Sequence, residues 1–214
     1  MKKILAFILL VLVCLPAFAA NVIDDFEKYH DGDFPSSWRT WPFQRGKAEQ
    51  IYKVASENGN KYLHADDAAG LSIQIMRNFD WNLSNYPKFS WKWRAKKLPV
   101  GAVESDPEKN DSACGVYVVI SKARQEMMKY VWSTTLPVGT VYEKKPGKAY
   151  IIVADTGPSK LNTWQTHTVN VAEDYKKYFK KDLDKEPAGI AVLTDSNATL
   201  QGAACDYDDF TLMN

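Results

Sequence analysis

The three histidines, His30, His64 and His167, are scattered and form no HExxH or HxH arrangement, so zinc-dependent hydrolysis lacks its ligand spacing. No serine sits in a GxSxG turn and no phosphate-cradling glycine loop is present. Carboxylates remain as candidate acids and bases. Asp111 and Asp195 are the pair a carbohydrate-active hydrolase or lyase would use, provided that about 5–9.5 Å separates them across a cleft. The other chemistry open to the chain is recognition, because it carries 7 Trp, 11 Tyr and 9 Phe. A sugar presents a flat apolar face ringed by hydroxyls, so its site combines an exposed aromatic ring with polar groups at the edge.

Two arrangements of such a site follow from the spacing. Trp91 and Trp93 share one parity, as do Tyr130 and Trp132, while Lys92 and Arg94 project from the opposite face. If the tryptophans are core, Lys92, Arg94, Asp111, Asp195 and Asn197 form the polar cluster on the other sheet face or its rim. If they are exposed, Tyr130 and Trp132 belong to the platform itself. Trp38, Trp41 and Trp81 stand beside turns and could line a site at the loop ends. The three functions open to the chain are a non-catalytic carbohydrate-binding domain, a hydrolase or lyase using Asp111 and Asp195, and an envelope structural or partner-binding protein.

These side chains need strands to hold them. Leu71, Ile73 and Ile75 alternate with Ser72 and Gln74, and Phe89, Trp91 and Trp93 alternate with Ser90, Lys92 and Arg94. Similar runs span 22–26, 50–54, 62–65, 115–120, 128–133, 150–154, 166–171, 189–194 and 207–213, separated by turn-rich segments such as His30-Asp31-Gly32-Asp33. One helix is predicted over 172–181, where Tyr175, Tyr178 and Phe179 recur at helical spacing and Glu173 and Asp174 complement the first turn. Many short strands with one short helix predict a mostly β, two-sheet β-sandwich of jelly-roll, galactose-binding-like type.

Met1-Lys2-Lys3, an apolar run from Ile4 to Phe18 and Ala17-Phe18-Ala19 read as a signal peptide over 1–20, leaving one domain over 21–214 in the periplasm or medium. The precursor holds 27 Lys+Arg against 26 Asp+Glu, and losing Lys2 and Lys3 leaves the mature chain near neutral. That balance offers no electrostatic footprint for nucleic acid or, after signal cleavage, for an anionic membrane. Cys114 and Cys205 survive processing into an oxidising compartment. They are either a disulfide joining neighbouring strands or two small apolar side chains that never meet.

The Phe26-Glu27 strand, Gly32, Pro35 and Trp38, with the closing Asp208-Asp209-Phe210, resemble the ends of carbohydrate-binding jelly rolls. That resemblance implies terminal strands lying side by side and a structural calcium ion held by Glu27 with Asp208 and Asp209, whose hard oxygens suit it. The alternative is that these acids are solvated edge charges. No other cofactor is expected. Trp91-Lys92-Trp93-Arg94, Asn110-Asp111-Ser112-Ala113 leading into Val116-Tyr117-Val118-Val119, Tyr130-Val131-Trp132-Ser133, Asn170-Val171 with Asp174-Tyr175, and Gly189 to Asn197 together resemble the family DUF3047. The resemblance runs through nearly the whole mature chain and implies an exported sandwich without an assigned activity. Where the family pattern carries Arg this chain has Gly115, so a polar site built on that Arg does not transfer. Intact-mass analysis of secreted protein should show Ala20 or Asn21 as the first residue; a full-length chain in the membrane fraction would contradict the cleavage.

Overall fold

A computed structural model describes residues 20–214, so the predicted signal peptide lies almost wholly outside the described residues. The strands are β1 (Ala20–Asp24), β2 (Tyr52–Glu57), β3 (Asn60–Asp67), β4 (Ile75–Arg77), β5 (Lys88–Lys97), β6 (Cys114–Ser121), β7 (Glu126–Ser133), β8 (Val141–Lys145), β9 (Ala149–Thr156), β10 (Gln165–Asn170), β11 (Gly189–Val192) and β12 (Ala203–Met213). They form two six-stranded sheets. The first runs β10-β5-β12-β3-β2, with β1 also paired to β12, and the second runs β4-β11-β6-β7-β9-β8. All pairings are antiparallel except β7 with β9. This is the mostly β sandwich of jelly-roll type that the alternation predicts, and its terminal strands do lie together, with Ala20 opposite Met213.

The inner faces supply the core. Phe89, Trp91 and Trp93 of β5, Tyr207 and Phe210 of β12, and Met128, Tyr130 and Trp132 of β7 all point between the sheets. Trp91 packs on Tyr130 at 5.2 Å between ring centroids, and Trp93 on Trp132 at 6.3 Å. Each such side chain removes some 150–250 Å² from water, so this aromatic layer dominates the hydrophobic stabilisation.

Helix α2 (Val171–Phe179) falls where the spacing predicts it, and the Asn170 side chain caps it by accepting from the Glu173 backbone N–H at 3.2 Å. It stops two residues earlier than expected because Lys180 takes a left-handed conformation, φ 58°. A second helix, α1 (Arg45–Ile51), replaces the start of the strand expected at 50–54, and it buries Ala48 and Ile51, one helical turn apart. The strand expected over Leu71 to Ile75 begins only at Ile75. Ser72 has φ 51°, and the Asp67 carboxylate accepts from the backbone N–H groups of Leu71 and Ser72 at 2.7 and 3.2 Å, holding that segment off the ladder.

Cys114 and Cys205 are bonded, with Cα atoms 5.4 Å apart. They do not lie on neighbouring strands: β6 and β12 belong to different sheets, so the bond crosses the core and clamps one layer to the other. It closes a 91-residue separation, for which the chain-entropy relation gives roughly 4–5 kcal/mol of stabilisation. Reduction should lower the melting temperature by about 10 °C, and thiol labelling of the unreduced native protein should detect no free cysteine.

Candidate functional site

The aromatic residues nominated as a platform are interior. Tyr130 and Trp132 are buried, Tyr130 donating its hydroxyl proton to Asp174 at 2.6 Å and Trp132 its indole N–H to the Gly157 carbonyl at 3.1 Å. With Trp91 and Trp93 facing them across the core, none of the four can stack on a ligand.

The nominated polar cluster is likewise divided. Lys92 and Arg94 sit on the outer face of the β12-containing sheet. Arg94 is only 6% exposed; its guanidinium bonds Glu57 at 2.7 Å and Asp206 at 2.8 Å beneath the rings of Tyr62 and Trp164. His64 approaches the same Asp206 at 2.6 Å, and Lys92 pairs with Asp209 at 2.6 Å. Asp111, Asp195 and Asn197 belong to the end of the other sheet. Asp111 is buried and accepts from Ala198 N, Thr199 N and Thr199 Oγ1 at 3.0, 2.7 and 2.6 Å, which leaves no free oxygen for proton transfer. Asp195 pairs through its backbone with Ser112, and Asn197 is exposed on the following turn. Lys92 and Arg94 therefore share no site with the other three.

The nominated metal ligands are also apart in function. Glu27 accepts from Lys61 N at 2.8 Å, Asp208 from Asn60 Nδ2 at 2.9 Å, and Asp209 from Lys92. Among the described residues no group of three or more His, Cys, Asp or Glu side chains is arranged to hold a metal ion.

What the structure does assemble lies on the outer face of the β6-containing sheet. A groove of about 870 Å³ runs over Met76 of β4, Val119 of β6, Met127 of β7 and Ala149 of β9. Its walls bring Arg39, Gln44, Gln74, Asn78, Lys122, Gln125 and Lys145 to the edges, and Trp41 stands at its mouth. Trp41 is 70% exposed and stacks on Phe43, itself 80% exposed, at 6.5 Å and 22°. The local sequence explains the presentation. Pro42 confines Trp41 to extended backbone, φ −61° and ψ 137°, and starts a 3-10 turn over Pro42–Gln44 that leads into α1. Arg39, two residues earlier, is fixed by paired backbone hydrogen bonds with Met76, each 2.8 Å. A cleft of similar size, about 860 Å³, lies between Asn78–Asn82 and Lys185–Ala188, but its tryptophan, Trp81, is 2% exposed and cannot receive a ligand face.

Trp41 was legible as an aromatic beside turns. Its partners in the groove were not, because Val119 and Gln74 read as ordinary positions of expected strands, while Met127, Gln125 and Lys145 fell outside every expected strand. The Trp-Pro-Phe sequence, two large aromatics without strand alternation, was the available signal.

Fold and groove together define a mostly β sandwich of jelly-roll type with an aromatic-flanked groove on one sheet. Residues 36–211 match the family model described as Protein of unknown function (DUF3047), and the chain belongs to that family. No curated protein matches the sequence. Among solved structures the chain is similar to a family 11 carbohydrate-binding module from Clostridium thermocellum in complex with a β-1,3-1,4-mixed-linked tetrasaccharide, at 13% identity and TM-score 0.46, covering 93% of this chain and 98% of that one. It is also similar to the xyloglucanase domain of NopAA from Sinorhizobium fredii in complex with cellobiose, at 13% identity and TM-score 0.41, covering 85% and 96%. A family 29 carbohydrate-binding module aligns at 8% identity and TM-score 0.39, covering 92% and 93%.

Asp208 gives the outer face of the first sheet a pH signature. Burial, reinforced by the neighbouring Asp209 carboxylate, outweighs the hydrogen bond from Asn60 and pushes its carboxyl up to about 7. Between about pH 4, where an unfolded Asp ionises, and about pH 7, the folded protein holds a proton that the unfolded chain has released. Stability therefore falls as pH rises across this window. Asp208→Asn should abolish that fall and raise the melting temperature at pH 8 by about 2–4 °C; equal pH profiles for both proteins would contradict the assignment.

Proposed function

We propose that the mature chain is an exported, non-catalytic carbohydrate-binding domain whose ligand lies in the groove mouthed by Trp41. The observation that carries this reading is the composition of that groove: a solvent-exposed indole, an apolar floor of Met76, Val119 and Met127, and a rim of amide and cationic side chains. An indole face matches the apolar face of a pyranose, while amides both donate to and accept from its hydroxyls. The groove's lining among the described residues includes no carboxylate, and Asp111 and Asp195 are buried. That supports binding over the hydrolase or lyase alternative, which needs two acids facing substrate across a cleft. The N-terminal sequence supports export to the periplasm or medium.

A shallow groove must offset the lost hydration of the sugar, so affinities should fall on the order of micromolar to millimolar. In a panel of cello-, xylo-, manno- and chito-oligosaccharides of two and six units, at least one should bind and perturb the intrinsic tryptophan fluorescence. Trp41→Ala should weaken that binding at least tenfold, about 1.4 kcal/mol, with little change in melting temperature because the ring is exposed. Binding unaffected by Trp41→Ala would remove the groove as the site. Release of cleaved sugar would replace the binding reading with an enzymatic one.

A further inference from the structure

The groove occupies only part of its sheet face. Two residues further along the same strands, Tyr117 follows Val119 on β6 and Lys129 follows Met127 on β7, and Tyr117 and Lys129 stand opposite one another across the ladder. Tyr117 packs with Val119, Ala191 and Leu193 in one apolar patch that Met76 and Met127 also join, so this row continues the groove floor. Here the face is covered. The loop between β5 and β6 is fastened further along the same face, at the end of β7 and at β8, through Glu104, whose carboxylate accepts from Ser133 Oγ at 2.5 Å and whose carbonyl accepts from the Tyr142 hydroxyl at 2.5 Å, and the Glu104 charge is felt at Lys129.

Beside that loop lie buried polar groups left short of partners among the described residues. Lys129 is 4% exposed; its ammonium, with three protons to donate, bonds among the described residues only Ser112 Oγ, at 3.0 Å, and lies 5.3 Å from the centre of the Tyr117 ring. Asp195 is also 4% exposed, and its Oδ1 is buried without a hydrogen-bond partner among the described residues. Among the described residues no ion pair joins the two, although the Asp195 charge is felt at Lys129. The lysine is accommodated by design of the strand beside it: a Cβ at Gly115 would meet Lys129 Cε at 2.7 Å and the Leu193 carbonyl at 2.9 Å, so glycine clears the path of the lysine stem. Burying an ammonium and a carboxylate apart is unfavourable, and direct pairing would partly recover that cost. Burial accordingly drives the Lys129 pKa down, against the pull of Asp195, Glu104 and Asp111.

A hydroxyl group donates one hydrogen bond and accepts others, so it can bridge an ammonium donor and a carboxylate acceptor that do not touch. We propose that Lys129, Asp195 and Tyr117 form an inner subsite for a hydroxylated sugar ring, continuous with the Trp41 groove and closed by the β5–β6 loop until a longer saccharide enters. The proposal rests on the carbohydrate-binding reading and deepens it: the open half holds a short sugar, and the inner half is reached by a longer one that displaces the loop.

Titration calorimetry with the two- and six-unit members of the same oligosaccharide panel separates the two readings. Lys129→Met and Asp195→Asn should each lower hexasaccharide affinity at least tenfold and leave disaccharide affinity within twofold, in protein whose circular dichroism shows it folded. Should Lys129→Met fail to fold, the isosteric Asp195→Asn carries the same test. Hexasaccharide affinity retained within twofold in the folded variant, with Trp41-dependent binding intact, overturns the inner subsite and leaves the groove assignment standing. Failure of every oligosaccharide to bind the wild-type protein overturns both.

Discussion

A buried indole N–H left without an acceptor carries a desolvation cost, and the core of this sandwich is arranged to meet that requirement for four of its five interior tryptophans. Five of the seven tryptophans are fully interior. Trp38 donates to Asp24 at 3.0 Å, Trp81 to the Tyr86 carbonyl at 2.9 Å, Trp93 to Asp155 at 2.8 Å and Trp132 to the Gly157 carbonyl at 3.1 Å. Two of these acceptors are carboxylates, which must be neutralised in turn. Asp24 also receives the Tyr29 hydroxyl and the Arg77 guanidinium, at 2.9 and 2.8 Å, tying the first strand to β4 of the opposite sheet. Asp155 receives His167 and Lys160. Its burial alone would raise the carboxyl, but the bonds from His167 and Trp93 prevail and hold it below the usual range. Only Trp91 among the interior indoles has an unpartnered nitrogen among the described residues.

That constraint also explains what the sequence could and could not disclose. The alternation of Phe89, Trp91 and Trp93 is local, and it correctly implies a strand with one aromatic face. The capping of α2 by Asn170 is equally local. Acids are different. Asp24 finds Arg77 53 residues away and Arg94 finds Asp206 112 residues away, so their role as internal counter-charges depends on a topology no short window contains. Seen as a string, Arg94, Asp111 and Asp195 look available for a ligand; in the fold Arg94 and Asp111 are occupied by the protein itself.

The groove was hidden for a related reason. Strand β6 is buried along both faces, which a half-buried pattern does not announce. One face packs into the aromatic core, while the other carries a small apolar patch of Tyr117 and Val119 with Ala191 and Leu193 of the neighbouring chain segment. β8 itself, Val-Tyr-Glu-Lys-Lys, carries little hydrophobic signal because it is an exposed edge strand, and charged residues at such an edge discourage pairing with another chain.

The bond across the core also decides how the molecule carries tension. Because Ala20 faces Met213 at the same end of an antiparallel pair, a pull between the two ends opens β1 from β12 one hydrogen bond at a time, a weak mechanical geometry. The unzipping reaches the covalent link between Cys114 and Cys205, and from there force passes directly from one sulfur to the other. The segment between those residues, which holds nearly all of β6, with β7, β8, β9 and β11 entire, drops out of the load path. Most of the groove floor is thus mechanically shunted: the ends can peel apart while β6, β7 and β9 beneath the groove stay out of the load path, and only β4, which precedes Cys114, remains in it.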